Sequence, residues 1–208
     1  MKSNPYPGKF IVIEGLDGSG QTTQAALLKD FLEGNGYEVV LTKEPTMESE
    51  AGRKIRAILD EKEKIESSKL QELFTRDRKD HIENLVVPAL KEGKMVISDR
   101  YCFSTFAFGT SDGLSLEQLI SSNEQFLLPD VTIILKVSPG ICVERIEKRG
   151  EHKTLFEKEK KLARVWQTYA VLPERFPNLY IIDGERKREE IFDEIKSIVR
   201  SKLNIKGE

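Results

Sequence analysis

A glycine-rich turn, Gly15-Leu-Asp-Gly-Ser-Gly-Gln-Thr22, follows the apolar run Phe10-Ile-Val-Ile-Glu14 and opens a segment with helical spacing. Residues of these types in this order hold phosphate. The glycines let backbone N–H groups converge on anionic oxygens, and a helix starting near Thr22 aims its positive dipole end at the same point. Thr22 supplies the hydroxyl that such a loop places on Mg²⁺, with Thr23 beside it. Where a lysine ammonium ordinarily reaches the β- and γ-phosphates of a nucleotide, the chain has Gln21. The loop points to nucleotide phosphate held with a reduced grip; the plainer alternative is a tight strand-to-helix turn.

Other polar groups sit just past apolar runs. Thr42-Lys43-Glu44-Pro45-Thr46 follows one, and Asp99-Arg100-Tyr101 follows another. A carboxylate in such a place can hold Mg²⁺ or its water shell, and an adjacent guanidinium can grip phosphate through two parallel N–H groups. A solvated Asp–Arg pair contributing little is the competing reading. Phe74 and Arg78, four apart, share a helix face, where a ring could stack on a base and a guanidinium reach its edge. Taken alone, that pair reads first as a core phenylalanine beside a solvated arginine, and nearby His81 as a structural histidine.

The elements that must position these groups alternate. Strands are expected at Phe10–Glu14, Glu38–Thr42, Met95–Ser98, Val131–Val137 and Leu179–Asp183. A helix over Thr22–Glu33 is expected to bury Ala26, Leu27 and Phe31 and to end at Gly34-Asn-Gly36. Others are expected over Leu70–Lys91, kinked or divided at Pro88, and over Leu116–Phe126, opened by a Ser115/Gln118 capping box. Two more cover Gly140–Lys148, behind Pro139, and Arg188–Leu203. The alternation implies an α/β fold: a five-stranded parallel sheet with helices on both faces, its ligands gathered at the carboxyl ends of the strands. No repeat or linker divides the 208 residues, so one domain is expected over 1–208.

Composition narrows the class further. Hydrophobic content of 38% with 33% charged residues suits a globular chain and does not suit a disordered one. The net charge of −2, from 33 basic and 35 acidic residues, gives no basic field for nucleic acid. No apolar run reaches membrane-spanning length, and Met1 to Lys9 lacks the apolar region of a signal peptide. Cys102 and Cys142 stand apart with no metal-type spacing, as buried thiols in a reducing cytoplasm would.

Gly15-Leu-Asp-Gly-Ser-Gly-Gln-Thr-Thr-Gln24, Lys43-Glu-Pro45, Leu73-Phe-Thr-Arg-Asp-Arg78, Asp99-Arg-Tyr101 with Ser104, and Ile182-Asp-Gly184 together resemble the thymidylate kinase family, in order over nearly the whole chain. The resemblance implies the nucleoside monophosphate kinase version of the P-loop fold. It also implies phosphorylation of dTMP to dTDP by ATP, with Mg²⁺ between the phosphates, in a cytoplasmic homodimer that feeds dTTP biosynthesis. Carried over by motif, Gly15, Leu16, Asp17, Gly18, Ser19, Gly20, Gln21, Thr22 and Thr23 hold the ATP phosphates, and Thr22 and Asp99 serve the metal; Arg145 and Arg149, four apart and so on one helix face, are expected to join the phosphate site. Asp17 would contact the deoxyribose 3′-hydroxyl, Phe74 stack on thymine and Arg78 bond the base edge. Arg100 would engage the phosphates with Ser104 close by, Tyr101 would crowd the sugar's 2′ position, and Glu44 and Pro45 would shape the monophosphate site. Asp17, Asp99 and Arg100 form the implied catalytic set, to which Arg149, beside Gly150, is added as an expectation from its position.

Three departures stand out against that family. Gln21 replaces the loop lysine, Lys43 stands where the family has arginine, and the lid at about 145–158 has Thr154-Leu155-Phe156-Glu157 in place of an arginine-bearing D-R-F-E element. A lost contact to a charged group is worth roughly 1.5–3 kcal/mol, enough to slow turnover about ten- to a hundredfold. Arg145, Arg149 and Lys153 remain near the lid, with Gly150 as its hinge, and Arg149 is expected to supply the missing charge. Two other readings stay open: a related pyrimidine nucleoside or nucleotide kinase, and a nucleotide-binding homologue with weakened catalysis.

Overall fold

The computed structural model describes residues 1–60, 63, 65–148 and 155–205, without the side chains of 155–157. Within them the strands are β1 (Lys2–Ser3), β2 (Lys9–Gly15), β3 (Val39–Lys43), β4 (Met95–Asp99), β5 (Leu127–Leu128), β6 (Val131–Lys136) and β7 (Leu179–Asp183). The first helices are α1 (Gln21–Gly34), α2 (Glu50–Leu59), α3 (Ser67–His81) and α4 (Val87–Lys91), and next come α5 (Cys102–Ser111) and α6 (Leu116–Asn123). The last are α7 (Pro139–Glu147), α8 (Leu155–Val171) and α9 (Arg188–Leu203). Five strands pair in parallel in the order β3-β4-β2-β6-β7, while β1 and β5 form a two-residue ladder beside them.

The central strand shows why the sheet forms. Phe10, Ile11, Val12 and Ile13 are all fully buried, as a strand covered on both faces must be. Phe10 and Val12 point into one core with Tyr101, Phe103, Phe106 and Tyr169. Ile11 and Ile13 point into the other, against α1 and α9, with Ala25, Leu28, Ile195 and Val199. Pairing brings Ile13 opposite Asp99, and Asp99 opposite Lys43. Three strands therefore end in one line, at the point where β2's neighbours β4 and β6 lie on opposite sides of it.

Several local expectations change. The buried face of α1 carries Ala25, Leu28 and Leu32 with Gln21 and Gln24, and Ala26 is exposed; two buried glutamines hide the true stripe from an apolar count. Ser115 sits at the start of α6, but its side chain makes no cap hydrogen bond. Pro88 does not divide the long helical stretch. A π-helical turn over Ile82–Val86 joins α3 to α4, and the proline falls in the first turn beyond it. The α5 helix went unread because it is buried nearly all round, so no periodic stripe marks it. Among the described residues, no helix is long and apolar enough to cross a membrane.

Candidate active site

The turn after β2 has the backbone its glycines permit. Gly18 and Gly20 have φ of +86° and +98°, and a Cβ on Gly18 would come within 2.5 Å of the Cys142 carbonyl oxygen. Only glycine fits there without strain. Gly20 is the N-cap of α1, so the helix opens directly behind the loop. Thr22 Oγ1 donates to Asp99 Oδ2 at 2.6 Å, tying this helix to the end of β4. Lys43 Nζ lies 3.2 Å from the same carboxylate oxygen, and the lysine is more than half exposed, so that ion pair adds little to stability.

Gln21 is buried, and its amide is turned inward. Its amide is satisfied when the nitrogen donates to Ser19 Oγ at 2.8 Å and to the Leu16 carbonyl at 3.1 Å. The oxygen then accepts from Arg100 Nε at 2.8 Å and Nη2 at 2.7 Å. Both ends of the amide are thereby committed within the protein. Arg145, one of the cations expected near the lid, has Nη1 3.4 Å from the Gly18 and Ser19 carbonyl oxygens. Arg149, Gly150, Lys153 and the rest of 149–154, the middle of the expected lid, lie outside the described residues.

Arg100 occupies the centre of the site in an unusual conformation. Its φ of +78° is one that side-chain-bearing residues rarely adopt, at a cost of order 1–3 kcal/mol. That backbone turns the guanidinium back over the loop, where it donates to the Gly15 carbonyl (3.0 Å), Ser104 Oγ (2.9 Å) and Asp17 Oδ1 (2.6 Å). Burial alone would lower its pKa, but Asp17, Tyr169, Glu14 and Asp99 raise it above the ordinary guanidinium value, so it stays charged. Behind it lies Glu14, fully buried at the end of β2. Its carboxylate accepts from the Tyr101 and Ser104 backbone N–H groups, from Ser104 Oγ and from Tyr169 Oη. Burial pushes the pKa of Glu14 up, against the pull of Arg100 and of these donors.

Beside Arg100 opens a cavity of about 230 Å³, bordered by Asp17, Pro45, Gln71, Phe74, Arg78 and Phe108. Arg78 is almost completely buried and anything but solvated. Its Nε and Nη2 face Glu44 at 2.9 and 2.7 Å, Nη1 donates to Asn123 Oδ1 at 2.6 Å, and Nη2 donates to Thr105 Oγ1 at 3.1 Å. Glu44 also faces His81 Nδ1 at 3.0 Å, so this glutamate is committed to positioning Arg78, and His81 is the structural histidine anticipated. Pro45 follows Glu44 through a cis peptide bond and touches this cavity and a second one of about 350 Å³, lined also by Thr22, Met47 and Asp99.

The Tyr101 ring is fully buried against Phe10, its hydroxyl donates to the Leu127 carbonyl at 3.0 Å, and the residue forms part of the cavity wall. Phe108, partly exposed 5.6 Å from the Arg100 guanidinium carbon, is the ring available there. Glu14, Gln71 and Phe108 were missed as site residues. A lone acid closing an apolar strand, and a glutamine three residues before Phe74, were the signals that could have found the first two.

Comparison with known proteins agrees with this arrangement. The family model described as thymidylate kinase matches residues 13–195. The chain is 43% identical to the probable thymidylate kinase of Pyrococcus horikoshii over 202 residues, covering 94% of this chain and 98% of that one. It is 33% identical to the thymidylate kinase of Caldicellulosiruptor saccharolyticus over 198 residues, covering 92% and 96%. The chain belongs to the thymidylate kinase family, enzymes of the nucleoside monophosphate kinase type.

Proposed function

We propose that the chain transfers the γ-phosphoryl group of ATP to dTMP, giving dTDP and ADP, within one domain and as a homodimer in the cytoplasm. The observation that carries this reading is the convergence of the glycine loop, Asp99 and the cavity of Phe74 and Arg78 on a single charged arginine, Arg100. An oxygen of the dTMP phosphate attacks the γ-phosphorus, the bond to the β–γ bridging oxygen breaks, and ADP leaves with that electron pair. The attacking oxygen is already ionised near neutral pH, so the work left to the protein is positioning and charge stabilisation.

The loop amides and the start of α1 hold the donor phosphates, and Arg100 stands between donor and acceptor. Thr22 and Asp99 fit Mg²⁺: a hydroxyl and a carboxylate are hard oxygen donors, and Mg²⁺ takes few protein ligands beside phosphate and water. When bound, the ion neutralises charge on the β- and γ-phosphates. Phe74 stacks on the base, Arg78 lies at its edge, and Asp17 serves the sugar side from its hydrogen bond to Arg100.

A coupled ADP-release assay with dTMP, dUMP and thymidine tests the reading. The fastest release is expected with dTMP, and Phe74→Ala should weaken dTMP binding by about 1–3 kcal/mol, the range for base–aromatic stacking, with ATP binding unchanged. Binding of both nucleotides with no release would leave a binding homologue, the reading that Gln21 favours.

With Gln21 turned inward, the charge missing from the loop must come from elsewhere. Arg145, already lying over the loop carbonyls, is the described residue placed to supply it. Arg145→Ala is therefore expected to lower kcat/KM for ATP at least about tenfold, or about 1.4 kcal/mol, with KM for dTMP little changed. Gln21→Lys should restore part of that loss. Equal effects on both substrates would remove Arg145 from the donor side.

A further inference from the structure

Gln71, Phe74 and Arg78 recur at spacings of three and four along α3, so they stand in one stripe on the cavity side of the helix. Gln71 is only 6% exposed, yet its Oε1 has no hydrogen-bond partner among the described residues. A buried amide oxygen left unpaired at a cavity wall is the mark of a group that waits for a ligand. Gly109 on the facing helix α5 packs closely against Leu119, whose Cδ1 a Cβ there would meet at 2.8 Å, and lies beside Gln71 at an ordinary contact distance of 3.4 Å from its Cδ. Arg78 cannot read a base edge by itself, because most of its donors are already committed to Glu44, Asn123 and Thr105.

We propose that Gln71 is the specificity-determining residue that reads the imide edge of the acceptor base, an inference that rests on the acceptor site assigned above. Thymine and uracil present an N3–H donor between two carbonyl oxygens. Oε1 of Gln71 accepts that N3–H, and its NH₂ donates to a neighbouring carbonyl, a two-point match between amide and imide. Cytosine has an unprotonated N3 and an amino group there. Arg78, which carries donors only, opposes that amino group and so prevents the glutamine from simply turning over to accommodate it.

Calorimetric titration of the full chain with dTMP and with N3-methyl-dTMP, for the wild type and for Gln71→Met, tests this. The methionine variant should bind dTMP about tenfold more weakly, bind ATP as before and melt no lower than the wild type, since it removes an unpaired buried oxygen. N3-methylation should weaken binding to the wild type about tenfold or more and cost the variant much less, the steric part being common to both. Unchanged dTMP affinity in Gln71→Met, or the same methylation penalty in both proteins, overturns the inference. Should that variant fail to fold, Gln71→Leu and the methylation penalty on the wild type alone decide it. A wild type that does not bind dTMP overturns the acceptor-site reading and this inference together, whereas normal wild-type binding with an indifferent Gln71 overturns this one alone.

Discussion

Asp99→Asn is expected to lower kcat for dTMP phosphorylation about 10²- to 10³-fold, equivalent to about 2.7–4 kcal/mol of transition-state stabilisation, while barely moving the melting temperature. The asparagine keeps an oxygen for the Thr22 hydroxyl, so the tie between α1 and β4 survives. Only Lys43 loses an ion partner, and its exposure makes that loss small. What disappears is a negative charge at the one point where the loop and the end of β4 meet. Steady-state kinetics across a Mg²⁺ titration, beside a thermal melt, separate the two effects. Turnover within a few fold of the wild type at all Mg²⁺ concentrations would remove Asp99 from the metal shell.

Glu14 carries the largest stability effect. Glu14→Leu is expected to destabilise the protein by roughly 3–5 kcal/mol, the cost of removing one partner from a buried charged network. It would strand the Tyr101 and Ser104 N–H groups and leave Arg100 with Asp17 as its carboxylate partner. The pH dependence has a definite sign. Burial raises the folded-state pKa of Glu14 above the ordinary 4.5, so over that window the folded chain holds its proton more tightly than the unfolded chain does. This contribution is constant below 4.5 and turns against the folded state as pH rises towards the raised value. Glu14→Gln should flatten that fall in urea melts taken across the window. An identical slope in the variant would mean that Glu14 does not titrate there.

Much of this architecture was legible in the sequence because β2 and its neighbours are uninterrupted apolar runs, and such runs can only be covered strands. The loop was legible for the same reason in reverse: glycines at that spacing serve no core. Side-chain commitments were harder to read. Arg78 and Glu44 lie 34 residues apart and meet only because α3 packs beside the end of β3. Gln21 looked like a weakened lysine because its position suggests a phosphate, whereas the fold gives it Arg100 as a nearer partner. Tyr101 follows a catalytic-looking pair, yet the left-handed turn at Arg100 sends its ring into the core.

The π-helical turn at Ile82–Val86 has a consequence of its own. It accommodates one more residue than an α-turn would, and so shifts the phase of everything beyond it by about 100°. On its near side the stripe of Gln71, Phe74 and Arg78 is oriented by the cavity beside Arg100; on its far side Val86, Ala89 and Leu90 are oriented by the core. The two demands need not agree, and the extra residue lets each half of one continuous helix answer its own. A single-residue deletion here would leave a regular helix that has to choose between them. Length variation in this protein is therefore far less tolerable at that turn than in the surface loops, although the turn lines neither cavity.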